Sequence, residues 1–254
     1  MKWMSFEHQG KAGFGLLCGT QLQPFAGTVF NPQGPAGAPL ALAEVTALPP
    51  CRPGQIIGLW NNFRAAAAKN GWSEPVEPLY FLKSPSAAAA HGQPIPVPRA
   101  YEGRVAYEGE LVIVIGRRAQ AISAAEAAAH ILGYTCGNDV TAMELLNRDP
   151  SFPQWTRAKS FDGFAAFGPV IETEFDPASA TLRTLVGGRE RQNYPLGDMF
   201  FGPHELVSRL SHDLTLQPGD LIYCGTSLGV LPMKPGTTVD VVIDGIGTLS
   251  NPYG

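Results

Sequence analysis

The chain has 254 residues, of which 16% are charged, and a formal net charge of −4. This length and a hydrophobic fraction of 44% exclude general disorder, because a chain of this size can bury a core without disulfide staples. No lysine and arginine cluster appears and no apolar run approaches 18 residues, so we expect neither nucleic-acid binding nor a membrane span.

The four cysteines are far apart and form no Cys-x-x-Cys pair. Such spacing is typical of buried free thiols in a reducing compartment and makes a zinc site unexpected. Residues 1–7 contain neither the apolar core nor the small-residue cleavage site of a signal peptide. We therefore expect a cytoplasmic protein.

Short strands and turns dominate the predicted elements, because 29 glycines and 23 prolines interrupt the chain. Residues 1–52 are predicted to form a small amino-terminal β region that ends in a proline-rich boundary. Residues 53–254 are predicted to form the larger domain, which begins with a strand at 56–60 and a short helix at 62–69. The expected class is β-rich α+β.

The middle of the chain has clearer patterns. Residues 105–115 are predicted to form a strand that is buried on both faces. Ser123 and Glu126 form a capping-box pattern, which predicts a helix that ends at Gly133. A strand is then expected at 133–137, and another at 154–160.

Glu108 and Glu110 lie two residues apart on the predicted strand, so both carboxylates should project from one face, about 7 Å apart. A solvent-exposed strand face is the ordinary alternative. Val112 and Val114 follow on the same face, which places the two charges at the edge of the core. Such charges are costly unless a cation or a proton compensates them, and Mg²⁺ is a suitable cation for carboxylate ligands.

Asp139 is the expected third ligand, because a short return of the chain could bring it beside the two glutamates. An aspartate that caps the following helical turn is the alternative. On the predicted strand 154–160, Trp155, Arg157 and Lys159 would share one face. Three carboxylates, one Mg²⁺ and Lys159 sum to a net charge of zero, so Lys159 could complete a neutral buried site.

These residues resemble motifs of the fumarylacetoacetate hydrolase family, and the resemblance extends from about residue 57 to residue 251. Each motif is weak alone, but their order and spacing together are specific. The matching stretches are residues 80–86, 107–111, 114–117, 133–135, 138–142, 154–162, 218–226 and 244–247.

The resemblance implies a mixed β-sheet roll or barrel of the family's carboxyl-terminal type, usually in a homodimer. It also implies Mg²⁺ or Mn²⁺ on Glu108, Glu110 and Asp139, and a catalytic lysine at Lys159. A substrate carboxylate is expected to contact Thr226. Within the matching stretches, the further substrate-binding candidates are Gly225, Arg157 and Lys83.

The sequence departs from the family pattern at two places. Many members carry a His and, three residues later, a Glu that activate water from a lid helix; here Ala66 and Lys69 occupy those positions. Many members also hold substrate with an Arg and a Gln, and here Met143 and Leu146 stand at those positions. We therefore expect a more apolar wall there and weak hydrolysis, with His91 as the next candidate base.

Three functions compete at this point. The favoured one is an enzyme that acts on a 2-oxo or β-diketo carboxylic acid through a metal-stabilised enolate, with C–C hydrolysis as the family's commonest outcome and decarboxylation, isomerisation or hydration as related ones. The second is a binding protein that keeps the metal and carboxylate pocket without turnover. A phosphoryl-transfer enzyme is the third, but the chain has no glycine-rich phosphate loop.

Overall fold

A computed structural model describes all residues of the chain, 1–254. The frequent glycines and prolines divide it into 19 strands, numbered in chain order. They are β1 (Lys2–His8), β2 (Lys11–Cys18), β3 (Gln21–Thr28), β4 (Asn31–Pro35), β5 (Leu40–Ala41), β6 (Thr46–Ala47), β7 (Ile56–Trp60), β8 (Leu79–Lys83), β9 (Ala88–Ala89), β10 (Val105–Ala106), β11 (Gly109–Ile115), β12 (Ile131–Asp139), β13 (Thr141–Ala142), β14 (Ala165–Glu172), β15 (Thr181–Val186), β16 (Arg189–Pro195), β17 (Leu221–Tyr223), β18 (Thr237–Ile243) and β19 (Gly247–Tyr253).

Four short α-helices connect these strands: α1 (Arg64–Asn70), α2 (Met143–Leu146), α3 (Trp155–Lys159) and α4 (Pro203–Asp213). Helix α1 ends at Gly71, whose φ of +69° closes the helix in the left-handed conformation that glycine adopts without strain. None of the helices has the length and apolar character that crossing a membrane requires.

One mixed sheet of 13 strands forms most of the structure. Its main path runs β4-β3-β2-β1-β14-β12-β11-β17-β7-β8, and the parallel pairs β17–β7 and β9–β14 interrupt an otherwise antiparallel order. The amino-terminal strands thus continue the same sheet, through the pairing of β1 with β14.

A second sheet, of order β16-β15-β18-β19, contacts the central strands of the large one, and β10 pairs with β13 in a third. The core is continuous across the contact between the two larger sheets. All seven residues of β11 are buried, as the sequence predicts for this strand. The four cysteines are free, and Cys18 is exposed, contrary to expectation, while the other three are buried.

Three predicted elements differ from the observed ones. The strand predicted at 105–115 is interrupted, because the chain leaves the small β10–β13 sheet and enters the large sheet between Ala106 and Gly109. The helix predicted after Ser123 is wrong. Ser123 and Glu126 do bond to each other, but only a 3-10 turn at Ala127–Ala129 forms before β12 begins, since β12 pairs with β11 as far as Ile131.

The strand predicted at 154–160 is also wrong, because residues 155–159 form helix α3. On a helix, residues two apart point to nearly opposite sides. Lys159 is therefore buried, whereas Arg157 lies on the exposed side and bonds to Gln154. The shared face proposed for Trp155, Arg157 and Lys159 does not exist.

Candidate metal centre

The three carboxylates meet where β11 begins and β12 ends. Antiparallel pairing places Gly109 opposite Asn138 and Glu110 opposite Gly137. The Asp139 amide donates to the Glu108 carbonyl oxygen at 2.9 Å, which closes the end of this ladder. One ligand atom from each of Glu108, Glu110 and Asp139 lies within 4.8 Å of the others. The structure thus brings together the three residues that the sequence analysis grouped.

Burial distinguishes the three carboxylates. Glu110 and Asp139 are fully buried, whereas the Glu108 side chain is 17% exposed. Oε2 of Glu110 accepts the Gly225 amide at 2.7 Å, but its Oε1 is buried without a hydrogen-bond partner. An orphaned buried carboxylate oxygen is costly. A hard divalent cation would supply the missing partner, and two further carboxylates lie within 4.8 Å to complete its ligand set. These residues therefore fit a metal centre.

Two buried lysines hold the other carboxylates. Nζ of Lys159 lies 2.8 Å from Oδ2 of Asp139 and also contacts Glu108. Lys83 donates to Oδ1 of Asp139 and, at 2.7 Å, to the carbonyl oxygen of Phe164. Thr141 donates its hydroxyl to Oε1 of Glu108 at 2.5 Å. The charge count made from the sequence therefore omitted one buried cation, Lys83.

The pKa shifts follow from this arrangement. Burial, and then the negative charges of Asp139 and Glu108, raise the pKa of Glu110 well above its usual value. Burial alone would raise the pKa of Asp139, but Lys159 and Lys83 lower it overall. Burial would likewise lower the pKa of Lys159, but Asp139 and Glu108 raise it above its usual value. For Lys83, burial dominates and lowers the pKa.

A cavity of about 310 Å³ opens beside Glu108. Its size lies at the lower end of small-molecule sites. The walls come from the end of strand β7, helix α1 with the following Trp72, and the loop 226–230, and they include Trp60, Thr226 and Ser227. The hydroxyl of Ser227 is buried without a partner. No histidine lines this cavity.

Ala66 and Lys69, the residues that stand in place of a His and Glu pair, both line this cavity. Met143 and Leu146 do not, and neither does Arg157. The apolar wall expected from Met143 and Leu146 is formed instead by Leu59, Trp60, Trp72, Leu228 and Val230.

Two other candidates lie away from the cavity. Lys83 is buried behind Asp139, with its side chain fully shielded from solvent. His91 accepts the Ser250 amide at its Nδ1 and does not line the cavity. A signal for the position of Lys83 does exist in the sequence, because alternation along β8 puts Lys83 on the same buried face as Phe81.

Two buried polar residues near the cluster, Gln192 and Tyr194, are not predicted from the sequence. Both project inward from β16, whose burial alternates. Both contact Gly109, which lies more than 80 residues away in the chain. The sequence at 189–195 gives no such signal, because three charged residues are followed by four uncharged ones and no polar alternation marks the inward face.

Comparison with known proteins identifies both parts of the chain. A sequence model of the carboxyl-terminal domain of fumarylacetoacetate hydrolase matches residues 55–253. A second model, described as Rv2993c-like amino-terminal, matches residues 1–50.

Similar proteins cover most of the chain. Protein Rv2993c of Mycobacterium tuberculosis is 42% identical over 214 residues, which are 83% of this chain and 79% of that protein. Oxaloacetate tautomerase YisK of Bacillus subtilis is 36% identical over 211 residues, 78% of this chain and 69% of that one. A solved structure of 5-carboxymethyl-2-hydroxymuconate delta-isomerase from Mycobacterium smegmatis has a TM-score of 0.91 and 36% identity, and the match covers 100% of this chain and 99% of that one.

The fold and its acidic cluster thus define a class whose named members are enzymes that act on small molecules. The chain belongs to the fumarylacetoacetate hydrolase family. The family resemblance and the β-rich fold class predicted from the sequence are confirmed.

Proposed function

We propose that this protein is a divalent-cation-dependent enzyme that catalyses keto–enol tautomerisation or isomerisation of a 2-oxo carboxylic acid. One observation carries the choice of reaction: the cavity beside Glu108 contains Ala66 and Lys69 on helix α1 and no histidine. Hydrolysis of a C–C bond requires an activated water, and a positioned His commonly supplies about 10²–10⁴-fold of the rate. Tautomerisation moves a proton between C3 and the 2-oxo oxygen, with solvent water in the cavity as the carrier, so it needs no water that is activated as a nucleophile.

Glu108, Glu110 and Asp139 would hold the cation, which we propose to be Mg²⁺ or Mn²⁺ because all three ligands are carboxylates. When bound, this cation supplies a Lewis acid for the negative charge that develops on the 2-oxo oxygen. The partnerless Oε1 of Glu110 supports this assignment.

Charge balance supports an anionic substrate. Three ionised carboxylates give −3, while the buried Lys83 and Lys159 and a divalent cation give +4, so the occupied centre carries +1. A substrate carboxylate would bring this sum to zero. Neutral assemblies are favoured where water is excluded, because uncompensated buried charge is costly.

Lys159 would stabilise the transition state by charge. Its ammonium group contacts Glu108, the carboxylate that lines the cavity. The raised pKa of Lys159 keeps it protonated, so its contribution is a fixed positive charge near the developing oxyanion. Thr226 and Ser227 line the same cavity and are the proposed contacts for the substrate carboxylate. Because the Thr226 hydroxyl already donates to the Gly109 carbonyl oxygen, the donors that we propose are the Thr226 backbone amide and the partnerless Ser227 hydroxyl.

The names of two relatives agree with this chemistry: one is an oxaloacetate tautomerase and another a delta-isomerase. Both reactions relocate a proton next to a carbonyl or enol group. A binding protein without turnover is the second candidate, and the absence of a histidine from the cavity favours it. The homodimer and the cytoplasmic location remain predictions from the sequence.

The test measures how fast the enzyme lowers the ultraviolet absorbance of enol-oxaloacetate, in the presence and in the absence of Mn²⁺ or Mg²⁺. We expect metal-dependent acceleration that EDTA abolishes and that Glu110→Gln lacks. Acetylpyruvate hydrolysis, measured in parallel, should be slower. Saturable binding of Mn²⁺ and oxalate with no acceleration of any 2-oxo acid reaction would favour the binding protein.

A further inference from the structure

The residue between the two glutamates is held by side chains from the second sheet. Gly109 lies between Glu108 and Glu110, and its amide donates to Oε1 of Gln192 at 2.9 Å. Its carbonyl oxygen accepts the hydroxyls of Tyr194 at 2.5 Å and Thr226 at 3.0 Å. Both backbone polar groups of Gly109 are therefore bonded to side chains rather than to a neighbouring strand.

Gly109 is required for this approach of the two sheets. A Cβ atom at this position would lie 2.1 Å from Oγ1 of Thr184 and 3.2 Å from Oε1 of Gln192. Real Cβ atoms essentially never lie 2.1 Å from another atom, so a larger residue at position 109 would push Thr184 and β15 away from the segment that carries the glutamates. The absence of a side chain at Gly109 thus allows the second sheet to approach the large sheet closely beside the metal centre.

Gln192 also holds the loop that lines the cavity. Its Nε2 donates to Oγ1 of Thr226 at 2.8 Å and to the carbonyl oxygen of Leu228 at 3.3 Å. With the bond from Gly109, the amide group of Gln192 has partners for its oxygen and for both N–H groups. Gln192 is 1% exposed, so these bonds cannot be exchanged for water without opening the structure.

We propose that Gln192 is a positioning residue that fixes loop 226–230 relative to the segment carrying Glu108 and Glu110. The loop supplies the proposed carboxylate contacts, Thr226 and Ser227, while the strand supplies metal ligands. One buried amide thus sets the distance between the two halves of the substrate site. This inference rests on the proposed function for its ligand, a carboxylate bound next to a divalent cation.

The test compares Gln192→Met with a matched control, Asn251→Leu. Asn251 is also 1% exposed, and its amide group donates to the carbonyl oxygens of Ala90 and Gln93 at 2.8 Å. Both variants lose buried amide hydrogen bonds, so both should lower the Tm. Only Gln192→Met should weaken oxalate binding to the Mn²⁺-loaded protein, by about ten-fold or more, as supporting residues of metal sites commonly do.

Hydrogen–deuterium exchange provides a readout that needs no ligand. The amides of residues 226–229 should exchange faster in Gln192→Met than in wild type and should be unchanged in Asn251→Leu. If Gln192→Met does not fold, Gln192→Asn replaces it in the test. Asparagine keeps an amide but is one methylene too short to reach Gly109 and the loop together, so we expect the same faster exchange and weaker oxalate binding.

The outcomes separate the two proposals. Unchanged loop exchange and an oxalate affinity within two-fold of wild type in the Gln192 variant would overturn the positioning role. Wild-type protein that binds no oxalate in the presence of Mn²⁺ would instead overturn the proposed function. In that case the exchange of residues 226–229 still decides the role of Gln192.

Discussion

Nζ of Lys159 lies 2.9 Å from both carboxylate oxygens of Glu108. The Lys159 side chain is only 3% exposed and its ammonium group also contacts Asp139, so it neutralises part of the acidic cluster and holds two of its members in place. A cation that binds the cluster shares these carboxylates with Lys159. The lysine therefore both stabilises the metal-free protein and provides positive charge beside the proposed substrate.

Replacing Lys159 should separate these two effects. We expect Lys159→Met to lower kcat for oxaloacetate tautomerisation by two orders of magnitude or more, in line with the loss of about 3 kcal/mol of oxyanion stabilisation. Mn²⁺ affinity should be retained, because removing a positive neighbour does not remove a ligand. Steady-state kinetics and titration calorimetry measure the two quantities.

Lys83→Met is the matched control, since Lys83 also bonds to Asp139 but has no contact with Glu108. Lys83→Met should lower the Tm as Lys159→Met does, but it should reduce kcat less than Lys159→Met. Near-normal turnover of Lys159→Met would make Lys159 a structural counter-charge only.

The proposed ligands should each be required for metal binding. Glu110→Gln and Asp139→Asn should each weaken Mn²⁺ binding at least ten-fold, because each removes a charged ligand from a centre with three at most. Asp220→Asn is the control: this carboxylate is also buried, but its oxygens accept the amides of Gln55 and Gln217. If calorimetry gives wild-type Mn²⁺ affinity for both ligand variants, the metal centre does not lie at this position.

Metal binding should depend on pH through Glu110. Burial raises the pKa of this carboxyl group, so its proton must leave before Oε1 can bind a cation. We expect Mn²⁺ affinity to fall as the pH decreases, with proton release that calorimetry detects in buffers of different ionisation enthalpy. Both effects should be reduced in Glu110→Gln.

The same shift determines how the stability of the metal-free protein changes with pH. A carboxyl group whose pKa is raised on folding stabilises the protein when the pH is below the pKa of that group in the unfolded chain. This contribution is lost as the pH rises through the pKa of the group in the folded protein. In EDTA, the Tm of wild type should therefore fall relative to that of Glu110→Gln as the pH rises. A difference in Tm that does not vary with pH would show that Glu110 is already ionised without metal.

The sequence predicted the acidic cluster because two simple patterns determine it. Residues two apart on a strand share a face, and the chain returns along β12 to end at Asp139. It could not predict α3, because five residues are too few to distinguish a helix from a strand by periodicity. The helix expected after Ser123 failed because long-range pairing of β12 with β11 overrode local propensity.

The buried polar contacts were not predictable in the same way. No alternation in the sequence marks Gln192 as inward-facing, and its partners Gly109 and Thr226 lie in other segments that only the folded sheets bring close. Lys83 was expected to bind substrate, whereas the fold places it behind Asp139. Which polar groups meet in a core depends on tertiary register, and no local pattern records it.

The residues that replace the water-activating pair offer the sharpest test of the proposed reaction. Ala66 and Lys69 lie three residues apart on α1 and line the same cavity as Glu108. We expect the double variant Ala66→His and Lys69→Glu to raise acetylpyruvate hydrolysis at least ten-fold, because a His held by a carboxylate can deprotonate water in the cavity. Oxaloacetate tautomerisation should not increase in parallel.

The control for this gain is Ala68→His with Lys69→Glu. Ala68 is exposed and does not line the cavity, so the same two groups are added to the helix with the imidazole directed to solvent. Hydrolysis should stay at the wild-type rate in this control. A wild-type enzyme that already hydrolyses acetylpyruvate at or above about 10 s⁻¹, the median for enzymes, would show that another group activates water. The assignment of proton transfer as the main reaction would then be wrong, because the cavity would support hydrolysis without a histidine from α1.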